Sequence, residues 1–246
     1  MVNILEGAEP FYKEGSNIGI LISHGFTGSS QSVFPLAEAY SAAGYTVCLP
    51  RLKGHGTTEQ DMEQSTYKDW ITSIEEGYEK LKKTCDAIFM TGLSMGGTLT
   101  LYMAAKHSDI RGIIPINAAV ILPGMHEAAE SSVRFIEGIG SDIKKPNIKE
   151  VAYSKTPVKS IKEIIKLIRI VEESLYKINC PVLVFVSPDD HVVPPYNADV
   201  IMDTIHSAEK EKILTEESYH VSTLDNDQAM IINKSLEFFK NHSMKN

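Results

Sequence analysis

The chain has 246 residues, 43% hydrophobic and 23% charged, with 24 basic against 32 acidic side chains and a formal net charge of −8. Those proportions exclude disordered, collagen-like and fibrous chains, and the length suits a single domain, residues 1–246, whose core needs no disulfide staples. An acidic chain lacks the concentrated basic surface that phosphate backbones and anionic membranes attract, so neither nucleic acid nor a stable membrane anchor is expected.

Cys48, Cys85 and Cys180 form an odd set without metal-ligand spacing, and they read as small packing residues. Met1-Val2-Asn3-Ile4-Leu5-Glu6 lacks the cationic segment and apolar stretch of a targeting signal. No apolar run approaches the ~20 residues of a membrane span. The expectation is a cytoplasmic protein, monomeric or weakly self-associating.

In chain order, short apolar runs rich in β-branched residues fall at 18–22, 45–49, 87–90, 112–116 and 182–186, with a weaker one at 212–214. Segments of helical periodicity with charged faces lie between them, among them 33–43 and 67–83, and Gly44 stands where a helix-terminating glycine belongs. Strands alternating with amphipathic helices predict stacked βα units and a mostly parallel sheet. The strand runs are continuously apolar, as expected where helices cover both faces.

Residues 118–180 break the rhythm, since a βαβ crossover needs only ~12 residues. Apolar residues at 158, 161, 165, 168, 171, 175 and 178 predict one long helix there. The mixed stretch before it predicts a small cap over the sheet edge, giving an insertion at about 120–178.

The sharpest chemical signal is Gly92-Leu93-Ser94-Met95-Gly96. Alone the pattern is weak, but here it follows an apolar strand and precedes a helix-like run, the context of a nucleophile elbow. A turn tight enough to project Ser94 drives backbone against neighbouring segments, which requires small residues at 92 and 96. A serine hydroxyl also needs a base to take its proton, and the elbow's chain order is serine, acid, histidine.

Of the eight histidines, His24 and His55 lie upstream, and His107 and His126 precede the next strand. His206 reads as helical, His242 as tail, and His191 adjoins the candidate acid. His220, after the last strand and before the final helix, remains as the base. The acid follows strand 182–186, where Asp189 and Asp190 compete; Asp190, directly ahead of His191-Val192-Val193-Pro194, is chosen, leaving Asp189 solvated or capping a turn. The backbone N–H of Met95 is one oxyanion donor. Phe26, within His24-Gly25-Phe26-Thr27-Gly28, supplies the second. His24 with His55 lacks the carboxylate or thiolate that would complete a metal site, so neither metal nor cofactor is expected.

With these residues in place the chain resembles the α/β-hydrolases, specifically bacterial carboxylesterases and monoacylglycerol lipases with a small cap. The likeness spans nearly the whole chain: 24–28, Gly44 to Thr57, 92–97, 190–195 and 218–225. It implies Ser94 as nucleophile with Asp190 and His220 as its relay, and the amides of Phe26 and Met95 as oxyanion donors. It also implies an apolar acyl channel under the cap and a polar alcohol pocket in which Glu150 accepts hydrogen bonds, and Glu150 and Ile139 are expected to bind substrate. The expected activity is hydrolysis of small lipid-like esters, monoacylglycerols first. A general short-chain or cinnamoyl esterase would differ in an acyl-chain series, and a non-catalytic binding protein on this fold would leave Ser94 unlabelled by a fluorophosphonate. Serine at 94 excludes a dehalogenase, which needs a carboxylate nucleophile.

Overall fold

A computed structural model describes residues 3–243; residues 1 and 2, which open the segment read for a targeting signal, lie outside it. In chain order, β1 (Phe11–Lys13) and β2 (Ile18–Ser23) precede a 3-10 turn (Ser30–Val33) and α1 (Phe34–Ala42). Next come β3 (Thr46–Leu49), α2 (Glu59–Gln64), α3 (Tyr67–Lys82), β4 (Ala87–Leu93), α4 (Met95–Lys106) and β5 (Ile110–Ile116). The long connection holds α5 (Gly124–Ala129), β6 (Phe135–Glu137), β7 (Lys155–Pro157) and α6 (Val158–Glu172). The chain then runs through β8 (Val182–Val186), α7 (Tyr196–Thr204), β9 (Lys210–Leu214) and α8 (Gln228–His242).

Seven strands form one sheet in the order β1-β3-β2-β4-β5-β8-β9, and β6 with β7 makes a separate hairpin. Every neighbouring pair in the large sheet is parallel except β1 with β3. The mostly parallel sheet is thus the predicted one, with an antiparallel edge strand that three residues of sequence do not announce.

The continuous apolar strands follow from burial on both faces. Ile20 and Ile22 pack with Leu36 and Tyr40 of α1 and Phe239 of α8, whereas Leu21 packs with Trp70, Ile74 and Tyr78 of α3 on the other side. Those three α3 residues recur every fourth position and are fully buried, the stripe that holds an amphipathic helix on a sheet. α1 stops where expected: Gly44 adopts φ +93°, and the Tyr45 and Gly44 amides donate to the Tyr40 and Ser41 carbonyls at 3.2 and 3.1 Å. A side chain there would resist the left-handed backbone that closes this turn.

Three local readings are corrected. The helix predicted to run from 158 to 178 ends at Glu172 and continues as a 3-10 turn at Leu175–Lys177, because Val171 and Leu175 are buried in different local geometry and the Ser174 amide turns back to the Val171 carbonyl. His242 closes α8 instead of lying in a tail, and His206 sits beyond the end of α7. No helix among the described residues is long and apolar enough to cross a membrane.

Candidate active site

The carboxyl ends of the parallel strands bring the sequence-predicted residues to one edge, where open α/β sheets bind ligands. Ser94 joins β4 to α4 with φ +58° and ψ −121°, a backbone strained for any side chain. Its neighbours explain how the strain is held. A Cβ on Gly92 would overlap the Gly96 backbone, and one on Gly96 would overlap the Ser23 carbonyl. The Ser94 amide donates to the Ile116 carbonyl at 2.9 Å, and its own carbonyl accepts from Thr98 at 3.0 Å. The turn is locked from β2, β5 and α4 at once.

His220 and Asp190 meet across two loops, with Nδ1 of the imidazole 2.7 Å from Oδ2 of the carboxylate. Both side chains are withdrawn from solvent, at 7% and 1% exposure, so the pair is not screened by water. The other Asp190 oxygen accepts from the Val192 and Val193 amides at 2.8 and 2.7 Å, which aims the free edge at His220. Asp189 is exposed. Ser94 Oγ makes no hydrogen bond among the described residues; Ser94, His220, Phe26, Glu150 and Ile139 line one cavity.

The amide of Phe26 likewise has no hydrogen-bond partner among the described residues, and Met95 is the first residue of α4, in the turn whose N–H groups have no partner within the helix. Phe26 is fixed by its ring, 5.8 Å from Trp70 in an edge-to-face contact. His24 holds the start of that loop: Nε2 accepts from the Leu52 amide at 3.1 Å and Nδ1 donates to the Gly25 carbonyl at 3.1 Å. Burial pushes the His24 imidazole down to about 4, so it works as a neutral strut. Gly25 lets this loop approach, since a Cβ there would lie 3.3 Å from Ser94 Cβ.

Glu150 enters the same cavity from the long connection. A Cβ on Gly28 would lie 2.6 Å from Glu150 Oε1, so the glycine leaves room for the carboxyl. Burial lifts this carboxyl to about 7, opposed by the nearby His220 and by Ser32. Beyond Ile139 the cavity opens into a larger one of about 350 Å³, walled by Phe26, Leu122, Met125, Ile136 and Ile161. That volume falls within the range of small-molecule sites.

Three residues at the site were not read from the sequence. Asn117, at φ +45° just past β5, donates to the His220 carbonyl at 2.7 Å and accepts from the Ser187 amide at 2.8 Å, so it ties the acid loop to the histidine loop. Its signal was available: an asparagine at a strand's carboxyl end is the residue type that tolerates positive φ. Asp142 binds the His191 and His220 amides, one on each of those loops, and Asp225 binds the Tyr219 amide of the histidine loop. In a polar stretch they carry no mark that separates them from solvated charges.

A mostly parallel sheet with a strained serine at the end of a central strand, an Asp–His pair on the loops after β8 and β9 and free amides beside the serine defines an α/β-hydrolase. The chain belongs to the family described as Serine aminopeptidase, S33, whose model matches residues 17–145 and 142–227. It is 57% identical to the thermostable monoacylglycerol lipase of Bacillus sp. strain H-257, over 98% of this chain and 97% of that one. It is 29% identical to a carboxylesterase of Bacillus subtilis strain 168, over 94% and 96% of the two chains. A solved structure from the metagenome-derived lipolytic enzymes LipS and LipT superposes with a TM-score of 0.95 at 48% identity, covering 98% of this chain and all of that one.

Proposed function

We propose that the protein hydrolyses carboxylic esters of small lipids, monoacylglycerols in particular, through an acyl-enzyme on Ser94. The observation that carries this is the buried 2.7 Å His220–Asp190 contact on the cavity that also exposes Ser94. The 57% identity to a monoacylglycerol lipase supports the choice of ester. Residues of about 120–178 act as the cap, with the 350 Å³ apolar cavity taking the acyl chain and Glu150 accepting from the alcohol's hydroxyl groups.

The chemistry runs in two halves. His220 Nε2 takes the Ser94 proton as Oγ attacks the ester carbonyl, and the developing oxyanion is met by the Phe26 and Met95 amides. As the tetrahedral intermediate breaks its bond to the glycerol oxygen, His220 returns that proton to the departing alkoxide, which leaves as glycerol while the acyl group stays on Ser94. Water then gives a proton to His220 and attacks the acyl carbon; the proton passes back to Ser94 Oγ as the fatty acid departs. Throughout, Asp190 holds the Nδ1–H tautomer and stabilises the imidazolium.

Ser94→Ala should abolish turnover of p-nitrophenyl and monoacylglycerol esters, and a fluorophosphonate should label Ser94 in the unaltered protein. Retained turnover in the variant would overturn the assignment. A matched acyl series decides the substrate: a preference for acetyl or feruloyl esters over long-chain monoacylglycerols would replace it with a general carboxylesterase.

A further inference from the structure

We infer that Asp142, in the cap, is a positioning residue for the Asp190–His220 pair, so that the cap and the proton relay are fixed to each other by one carboxylate. The inference rests on the proposed roles of Ser94, His220 and Asp190. Asp142 Oδ2 accepts from the backbone amide of His220 at 3.1 Å and from that of His191 at 3.2 Å. Its Oδ1 lies 2.8 Å from His191 Nδ1. His191 is the residue immediately after the acid, so Asp142 grips the base and the acid's neighbour together. The Asp142 carbonyl also accepts from Val221 at 3.0 Å, adding a second tie to the histidine loop.

The remaining contacts of His220 show what Asp142 adds. Asn117 holds the His220 carbonyl, Asp190 holds Nδ1, and Asp142 holds the amide. Three elements thus fix one residue: the end of β5, the acid loop and the cap. His220 is 6% exposed, and without Asp142 its amide would be left buried and unpaired. The loop would then turn to find another acceptor, and the imidazole would turn with it. Five residues further on, Asp225 accepts from the cap amides of Lys144 and Lys145 and from the Tyr219 amide at 2.7, 2.8 and 2.9 Å. The cap segment 142–145 is therefore seated against the histidine loop on both sides of His220, and Asp142 is the side chain that joins this seat to the acid loop.

A misplacement on the scale of 1 Å costs on the order of 100-fold in rate, so Asp142→Ala should lower kcat on a soluble p-nitrophenyl ester by about 10–100-fold. KM should stay within about twofold, because the substrate cavity itself is not lined by Asp142. Asp142→Asn keeps an oxygen for both amides and should retain kcat within about threefold. In proton NMR, the downfield resonance of the His220–Asp190 hydrogen bond should persist in the Asn variant and broaden in the Ala variant. An Ala variant with kcat within threefold of the parent, a loss confined to KM, or an Asn variant as impaired as Ala would overturn the inference. Should the Ala variant not fold, Asp142→Ser takes its place: a kcat below that of Asn at unchanged KM supports the clamp, and equal values overturn it. His220→Ala separates the two levels, since turnover retained there defeats the proposed relay itself, while a dead His220→Ala beside a fully active Asp142→Ala defeats only the clamp.

Discussion

Glu150→Gln should make the protein more stable at alkaline pH while weakening its hold on glycerol esters. Burial raises this carboxyl from its ordinary 4.5 to about 7, which means the folded protein binds the proton more tightly than the unfolded chain. The sign follows: the associated stability is fully present below pH 4.5 and is lost as pH rises through about 7. At 1.36 kcal/mol per pKa unit, the loss above pH 7 amounts to about 3 kcal/mol. A glutamine occupies the same space without that charge, so the variant should gain about 3 kcal/mol over the parent at pH 8 and under about 1 kcal/mol at pH 5. For a chain of this length that is a rise in Tm of roughly 6–12 °C at pH 8. Thermal unfolding at the two pH values measures it, and a gain that is equal at both, or a loss at pH 8, would refute the reasoning. The functional limb is separate: loss of a charged acceptor should lower kcat/KM for monoacylglycerols by about tenfold or more, with p-nitrophenyl acetate, which brings no hydroxyl groups, much less affected.

Two further substitutions probe the serine turn and the relay. Asp190→Asn keeps an oxygen for the Val192 and Val193 amides, so the fold should persist; its amide nitrogen faces His220 Nδ1 and imposes the wrong tautomer, and kcat should fall by about 10⁴, a drop of less than tenfold counting against the relay. Gly96→Ala drives a Cβ into the Ser23 carbonyl, and since backbone cannot give as a side-chain tip does, stability should fall by about 1–3 kcal/mol or more with loss of fluorophosphonate labelling; an active, equally stable variant would show that the turn does not need its glycine.

What was legible in the sequence is what local rules control. Parallel strands buried on both faces leave little room for a polar residue, so residues 18–22 and Val182–Val186 stand out as unbroken apolar runs. The serine turn is equally local, because the backbone crossing that forbids a Cβ at 92 and 96 is made within a few residues and by the strand next door. The acid and base were found through chain order and strand position, although 30 residues separate Asp190 from His220. Short-range signals failed where tertiary contacts decide. β1 pairs over three residues only, too few to show a period, and the apolar stripe through Leu175 and Ile178 continues past the point where α6 ends because a 3-10 turn buries those residues as well as a helix would. Asp142 and Asp225 could not be read at all, since their partners lie 78 and 81 residues away.

The two limbs of the proposed cap are held by different forces. Residues 122–133 make no hydrogen bond outside their own stretch among the described residues; α5 is held on α6 by apolar contact, through side chains such as Met125 and Ala128 that pack against the buried core. Residues 134–157 are tied down by polar contacts. Arg134 makes a two-pronged pair with Glu63 at 2.9 and 2.6 Å, Tyr153 Oη donates to the Gly54 carbonyl and accepts from the Thr57 amide at 2.8 Å each, and Gln31 holds the backbone of Lys149 and Val151. Both limbs wall the apolar cavity, the first through Leu122 and Met125 and the second through Ile136 and Ile139, while the second also brings Glu150 into the serine cavity and Asp142 to the His220 and His191 amides. Apolar contact is non-directional and yields to chains of different length at small cost, whereas hydrogen bonds fix angles as well as distances. An ester hydrolase needs one geometry at the scissile bond and only a dry enclosure for the acyl tail; the polar ties fall on the limb that carries Glu150 and Asp142, while apolar side chains of both limbs make the enclosure.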